Sequence, residues 1–189
     1  YEALTDLIEE TQNEIEHLES IAASIDMAIN VEDLTQIRQE MVQYGYLKKY
    51  AQGGKGKKEK VTSRPYHYIS SDGFHMYVGK NNYQNDELTF KFANGGDWWF
   101  HAKGQPGSHV IVKCNGEEPP IRTFEEAAAL AAYFSKGKGS EKLEIDYTQK
   151  KNVKKPNGSK PGFVVYYTNY SIIATSHIEG ILESDDSKH

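Results

Sequence analysis

The sequence holds one cysteine, Cys114, in 189 residues. An intrachain disulfide is excluded, and with it any fold that depends on a disulfide framework; a lone thiol fits a reducing compartment. Long apolar runs are also missing. Nothing approaches the roughly 20 apolar residues a membrane-spanning helix needs, so membrane insertion is not expected. No secretory signal pattern stands at the front, although the chain reads as a piece of a longer one. The phosphate-loop pattern and the dinucleotide fingerprint are absent too. Hydrophobic residues make up only 38%. That suits one core domain with an appendage better than a single compact globule.

What is present is divided by charge. The net charge is −5, from 22 basic and 27 acidic residues. Residues 1–50 carry three Lys or Arg against eleven Asp or Glu, leaving nineteen basic and sixteen acidic residues in the remainder. The front is near −8 and the rest near +3, so two electrostatic halves lie behind a mildly acidic whole. In the front half, Leu4, Ile8, Thr11, Ile15, Leu18, Ala22, Ile25 and Ile29 step by four and three. This predicts a coiled-coil-type helical arm with one narrow apolar seam. Such a seam needs a partner helix, and no second helix of matching length follows. The partner is expected upstream or in a second molecule, and the arm is not expected to join the domain core. Asn30 predicts the cap of a second helix, with Val31, Leu34, Ile37, Met41 and Tyr44 as its apolar stripe and Gly45 as its stop.

Residues 51–62, rich in Gly and Lys, read as a solvated linker whose lysines are candidates for RNA contact. Beyond it, 66–69 and 74–78 flank Ser70-Ser71-Asp72-Gly73, a hairpin signal. A third strand is expected at 88–92. Thr123 with Glu126 predicts a capping box opening an alanine-rich helix that runs to Phe134. Strands are expected at 143–148, 163–168 and 171–175, the first two joined by a basic loop. The fold class is α+β: a mostly antiparallel sheet with a covering helix, preceded by the helical arm. The division is 1–50 arm and short helix, 51–62 linker, 63–180 domain, 181–189 polar tail.

The chain is organised around Gly95-Gly96-Asp97-Trp98-Trp99-Phe100-His101-Ala102-Lys103-Gly104-Gln105-Pro106-Gly107-Ser108-His109-Val110-Ile111-Val112. It reads as strand, tight turn, strand. Gly104, Pro106 and Gly107 shape the turn, and if φ at Gly107 is positive a valine there should lower stability. The turn gathers His101, Lys103, Ser108 and His109 with glycine N–H groups, a surface suited to an anion such as phosphate. Trp98 and Trp99 adjoin on a strand and must point to opposite sides. Catalytic alternatives are poorly supported. His101, His109 and Cys114 lack the paired spacing of a zinc site. Ser108 and His109 point apart, which argues against a nucleophile and its base. Nothing in their spacing singles out Asp86, Asp97 and Asp146 as magnesium ligands.

The stretch from Asp97 to Lys103, followed by Pro106-Gly107-Ser108-His109-Val110, resembles the signature of the NFACT-R domain of the NFACT family. Gly79-Lys80-Asn81, Gln84-Asn85-Asp86-Glu87-Leu88-Thr89, Glu126-Ala127-Ala128 and Lys160-Pro161-Gly162 fit the same resemblance. It covers about residues 61–175, and residues 1–50 resemble the end of the family's coiled-coil middle segment. The resemblance implies the RNA-binding C-terminal part of a ribosome-quality-control factor. Such a factor binds stalled large ribosomal subunits and tRNA and, in bacteria, supports alanine tailing of nascent chains. The implied partners are the large subunit, tRNA and rRNA. No catalysis and no cofactor are expected of this part, and the implied location is the cytoplasm. Because many bacterial members are labelled fibronectin- or fibrinogen-binding, the alternative is an adhesin for those host proteins at the cell surface. The residues expected to meet RNA are Lys80, Asn81, Asn85, His101, Lys103, Ser108, His109, Lys154, Lys155 and Lys160. They form one basic, amide-rich face if the sheet brings their loops to one edge.

Overall fold

The structure is a computed structural model that describes residues 2–49 and 62–188. Residues 51–61 of the segment read as a solvated linker with lysines for RNA contact lie outside the described residues. Helices α1 (Glu2–Met27) and α2 (Val31–Gln43) form the arm. The domain follows with strands β1 (Tyr66–Ile69) and β2 (His75–Val78), helix α3 (Asn82–Glu87) and a π-helix at Leu88–Phe92. Then come β3 (Trp98–Ala102), β4 (Val110–Val112), α4 (Ile121–Tyr133), β5 (Leu143–Gln149), β6 (Tyr170–Ala174) and β7 (Leu182–Glu183). The seven strands form one sheet in the order β6-β5-β3-β4-β2-β1-β7, and every pairing is antiparallel. The fold is α+β.

The sheet is covered on both faces, where the sequence suggested one. Trp98 lies on the α4 side with Phe100, Val110, Val112 and Met76, packed on the alanines of α4. Its neighbour Trp99, with no exposed surface, lies in the opposite cluster with Leu88, Ile111 and Val153. Period-2 alternation forces this split. Both tryptophans are therefore core.

Residues 88–92 are helical, not a strand. Asn81 caps α3 by accepting from Gln84 N–H, which starts the chain helically. Leu88 and its neighbour Thr89 are both buried, a pairing that a strand would send to opposite faces. Segment 163–168 also fails to form a strand. The two edges of β5 are taken by β3 and β6. The segment makes a single bridge, Val165 to Lys154, while Val164 and Tyr166 pack on the Trp99 cluster. The capping box is not made. Pro120 stands at the N-cap of α4, and Thr123 Oγ1 lies 3.0 Å from both Ser70 Oγ and Asp72 Oδ2. Glu126 accepts from the backbone and side chain of Ser71. These residues pin the helix to the β1–β2 turn instead. Residues assigned to the tail contribute β7, and Asp186 pairs with His67 at 3.2 Å.

The arm's seam is exposed along its length: Ile8 is 67% exposed and Ile29 64%. The face beside the seam, one residue around the helix, docks on the rest of the molecule through His17, Ile21 and Ser24. On α2 the expected apolar stripe is half wrong. Val31 and Leu34 are exposed, and Asp33, Ile37 and Glu40 are buried. The docking face selects residues that can bond to a polar neighbour, which an apolar stripe cannot reveal.

Candidate nucleic-acid interface

Most of the residues expected to contact RNA do come together, but inside the molecule. Lys80 is 2% exposed. Its ammonium lies 3.3 Å from Asp33 Oδ1 and 4.6 Å from the centre of the Tyr66 ring. Asn81 is buried, spending its carbonyl on Gln84 N–H at 3.0 Å and its amide on Gln36 at 2.7 Å. Asn85 accepts from His109 N–H at 3.0 Å. Ser108 donates to Gly79 O at 2.5 Å, and His109 Nδ1 meets Thr89 Oγ1 at 2.9 Å. The reading of these five as an open RNA face is corrected: each is buried and has its partner within the chain.

The basic loop enters the same junction. Lys155 holds Asp86 at 2.9 Å and donates to the carbonyls of Lys160 and Phe163 at 2.6 and 3.0 Å. Gly162 N–H donates to Asp86 Oδ1 at 3.0 Å. Burial pushes the Asp86 carboxyl upward, against the pull of Lys155. Lys155 therefore shapes its loop and is not free for phosphate. Lys160 is half-buried and reaches Tyr46 Oη at 3.4 Å. On the arm side, Glu40 accepts from Asn82 at 2.9 Å and meets His17 Nε2 at 2.8 Å.

His101 is half-buried, and burial lowers its pKa to about 4; His109 is lowered well below the usual value by the same cause and by His101 beside it. Both imidazoles are neutral at pH 7 and give no charge to an anion. Lys103 is exposed and bonds Glu144 at 2.6 Å; Lys154 is exposed. At the turn, Gly104 has φ +65°. Gly107 does not have a positive φ, so strain in that region is not what requires the glycine. A Cβ there would lie 3.0 Å from Ser135 Cβ and 3.2 Å from Phe134 O, so a close approach to the end of α4 requires the glycine.

The residues weighed for catalysis also part company. Cys114 lies in the α4-side cluster, its thiol raised to about 11 by burial, while the His101 and His109 rings meet 5.4 Å apart on the other face. Asp97 accepts from Cys114 N–H at 2.9 Å and binds Lys113 at 2.5 Å. Asp146 accepts from Tyr166 and Ser171 at 2.8 and 2.6 Å. Among the described residues, no three His, Cys, Asp or Glu side chains group as a metal site.

A second surface was missed. Segments 88–96 and 147–160 carry six lysines and no Asp or Glu. The structure brings them together: Lys150 N–H donates to Asp97 O at 2.8 Å and Lys151 N–H to Gly95 O at 3.1 Å. Lys150 Nζ lies 5.8 Å from the Phe90 ring. Phe92 is 42% exposed, stands edge-on to Tyr77 at 4.7 Å and has Lys113 Nζ 4.9 Å from its ring. Lys91, between the two rings, is exposed. The acid-free segments were readable in the sequence, but treating 88–92 as a strand hid their proximity.

Sheet, covering helix and docked helical arm define an α+β module with a helical appendage, one sheet face of which carries a lysine-rich border. Residues 64–167 match the NFACT protein RNA binding domain, and residues 1–60 match the NFACT N-terminal and middle domains; the chain belongs to the NFACT family. It is 45% identical over 166 residues to the Rqc2 homolog RqcH of Streptococcus suis, covering 86% of this chain and 29% of that protein. To the Rqc2 homolog RqcH of Bacillus subtilis it is 39% identical over 172 residues, covering 91% of this chain and 30% of that protein. The chain thus spans under a third of the curated relatives it matches. A solved structure, the C-terminal of the fibronectin/fibrinogen-binding protein from Streptococcus suis, superposes with a TM-score of 0.82 at 40% identity. It covers 98% of this chain and 70% of that one.

Proposed function

We propose that this chain is the RNA- and ribosome-contacting part of a ribosome-quality-control factor. The observation that carries the reading is the border of Lys91, Lys150, Lys151 and Lys154, drawn from two acid-free segments, on a domain matched to an RNA-binding family. Relatives named Rqc2 homolog RqcH support the cellular role. In the whole protein, the partners would be stalled large ribosomal subunits and tRNA, and the outcome alanine tailing of nascent chains. This part supplies affinity and no catalysis, and it works in the cytoplasm. The test is sedimentation of the full-length protein with ribosomal subunits, with and without residues 62–188. Co-sedimentation with the large subunit is expected to weaken on deletion; unchanged sedimentation overturns the reading.

A second reading, adhesion to fibronectin or fibrinogen, is favoured by the description of the superposing Streptococcus suis structure. The two separate on salt. Phosphate neutralisation makes RNA affinity fall steeply with salt, whereas a mainly apolar protein contact responds little. Among the described residues, no helix is long and apolar enough to cross a membrane.

A further inference from the structure

The π-helix does more than cover Trp99. It presents Phe90 and Phe92 on its two flanks with Lys91 exposed between them. Each ring is paired with a lysine from another element: Phe90 with Lys150, Phe92 with Lys113. Lys151 and Lys154 follow in the same basic stretch and are both exposed. The acidic groups of this region are mostly spent internally, Asp97 on Lys113 and Asp86 on Lys155; Glu87, exposed, borders the ridge at its N-terminal end. A π-helix is a rare element that recurs at functional sites.

Exposed aromatic surface beside lysines that form no ion pair among the described residues matches the chemistry of unpaired nucleotides. Bases stack on rings regardless of sequence, while phosphates follow the ammonium groups. A duplex hides its base faces and would use only the lysines. We propose that the ridge formed by Phe90, Lys91, Phe92, Lys150, Lys151 and Lys154 binds single-stranded RNA, with a base stacked on Phe92. The inference rests on the RNA-binding reading above and gives it a place and a substrate form.

The test uses the 189-residue chain and two fluorescent probes, a ten-nucleotide uridine oligomer and a ten-base-pair RNA duplex, titrated by anisotropy at several salt concentrations. The single strand is expected to bind more tightly than the duplex. Phe92→Leu keeps apolar bulk against Tyr77 and removes the ring face. It should weaken single-strand binding by roughly fivefold or more, as loss of one base–aromatic stack does, and leave duplex binding unchanged. Lys91→Ala with Lys151→Ala should flatten the slope of log affinity against log salt by about 1.4, from roughly 0.7 per phosphate contact on a single strand. Equal affinity for the two probes, or wild-type single-strand affinity in Phe92→Leu, overturns the ridge while leaving RNA binding in place. If Lys103→Ala and Lys160→Ala weaken binding and the ridge variants do not, the RNA lies elsewhere. No binding of either probe by the wild type overturns the RNA reading itself.

Discussion

The junction and the ridge are built from similar residue types and end in opposite states. In the junction, Lys80, Asn81, Asn85 and His109 are buried and bonded to one another's neighbours. On the ridge, Lys91, Lys151 and Lys154 stand exposed. The difference lies in the local supply of acceptors. Around the junction, Asp33, Glu40 and Asp86 offer carboxylates to Lys80, Asn82 and Lys155. Segments 88–96 and 147–160 contain no carboxylate, and Lys91, Lys151 and Lys154 in them remain in water, while Lys155 reaches across to Asp86. A dense polar motif therefore marks an interior that must be satisfied, and an acid-free stretch marks a surface open to an anion.

Breaking the junction should produce the largest effect. Lys80→Ala leaves the Asp33 carboxylate buried without its ammonium, which typically costs about 3–5 kcal/mol. Urea denaturation should show a large fall in midpoint, and limited proteolysis should reveal a loosened arm. A midpoint close to wild type would mean that the junction is not structural. Acid should act next. His101, with its pKa lowered to about 4, and His109, also lowered by burial, stay neutral in the fold. The unfolded chain takes up their protons from about pH 6.5 downward. Between about pH 6.5 and 4 the unfolded state binds more protons, so stability falls as pH falls, by up to about 1.4 kcal/mol per pH unit for each histidine. Histidine-to-Gln variants at both positions should flatten that slope in denaturation series. Gly107→Val comes third. Its side chain enters the space before Ser135 and Phe134, an overpacking worth about 1–3 kcal/mol, read as a lowered thermal midpoint. Lys103→Ala should be smallest. Its partner Glu144 is also exposed, and exposed pairs add little, so the denaturation midpoint should stay where it is.

The strands around the signature were legible because alternation and turn chemistry agree there: 98–102, 110–112 and the 66–78 hairpin all form. The seam of α1 was legible for the same reason, as one periodicity sustained over many turns. What failed had a competing cause. Leu88, Phe90 and Phe92 alternate like a strand, yet the Asn81 cap seven residues earlier had already committed the chain to helix. Thr123 and Glu126 sit at capping-box spacing, yet Ser70, Ser71 and Asp72 compete for both side chains. For the site, residue types were readable but exposure was not. Lys80 and Lys91 look alike in sequence, and only the tertiary position of Asp33 separates them.

The arm has a mechanical consequence. All fifteen residues from Glu2 to Glu16 are exposed, and anchoring begins at His17. At 1.5 Å per residue, about 22 Å of helix stands clear of the domain. Its root is gripped by polar bonds to α2 and α3, and by Lys136 on Glu19 at 3.0 Å. The helix is thus a cantilever with its apolar edge turned outward. A partner seated on that edge would be held at a set distance and bearing from the ridge, so the arm would work as a gauge of the spacing between two contacts.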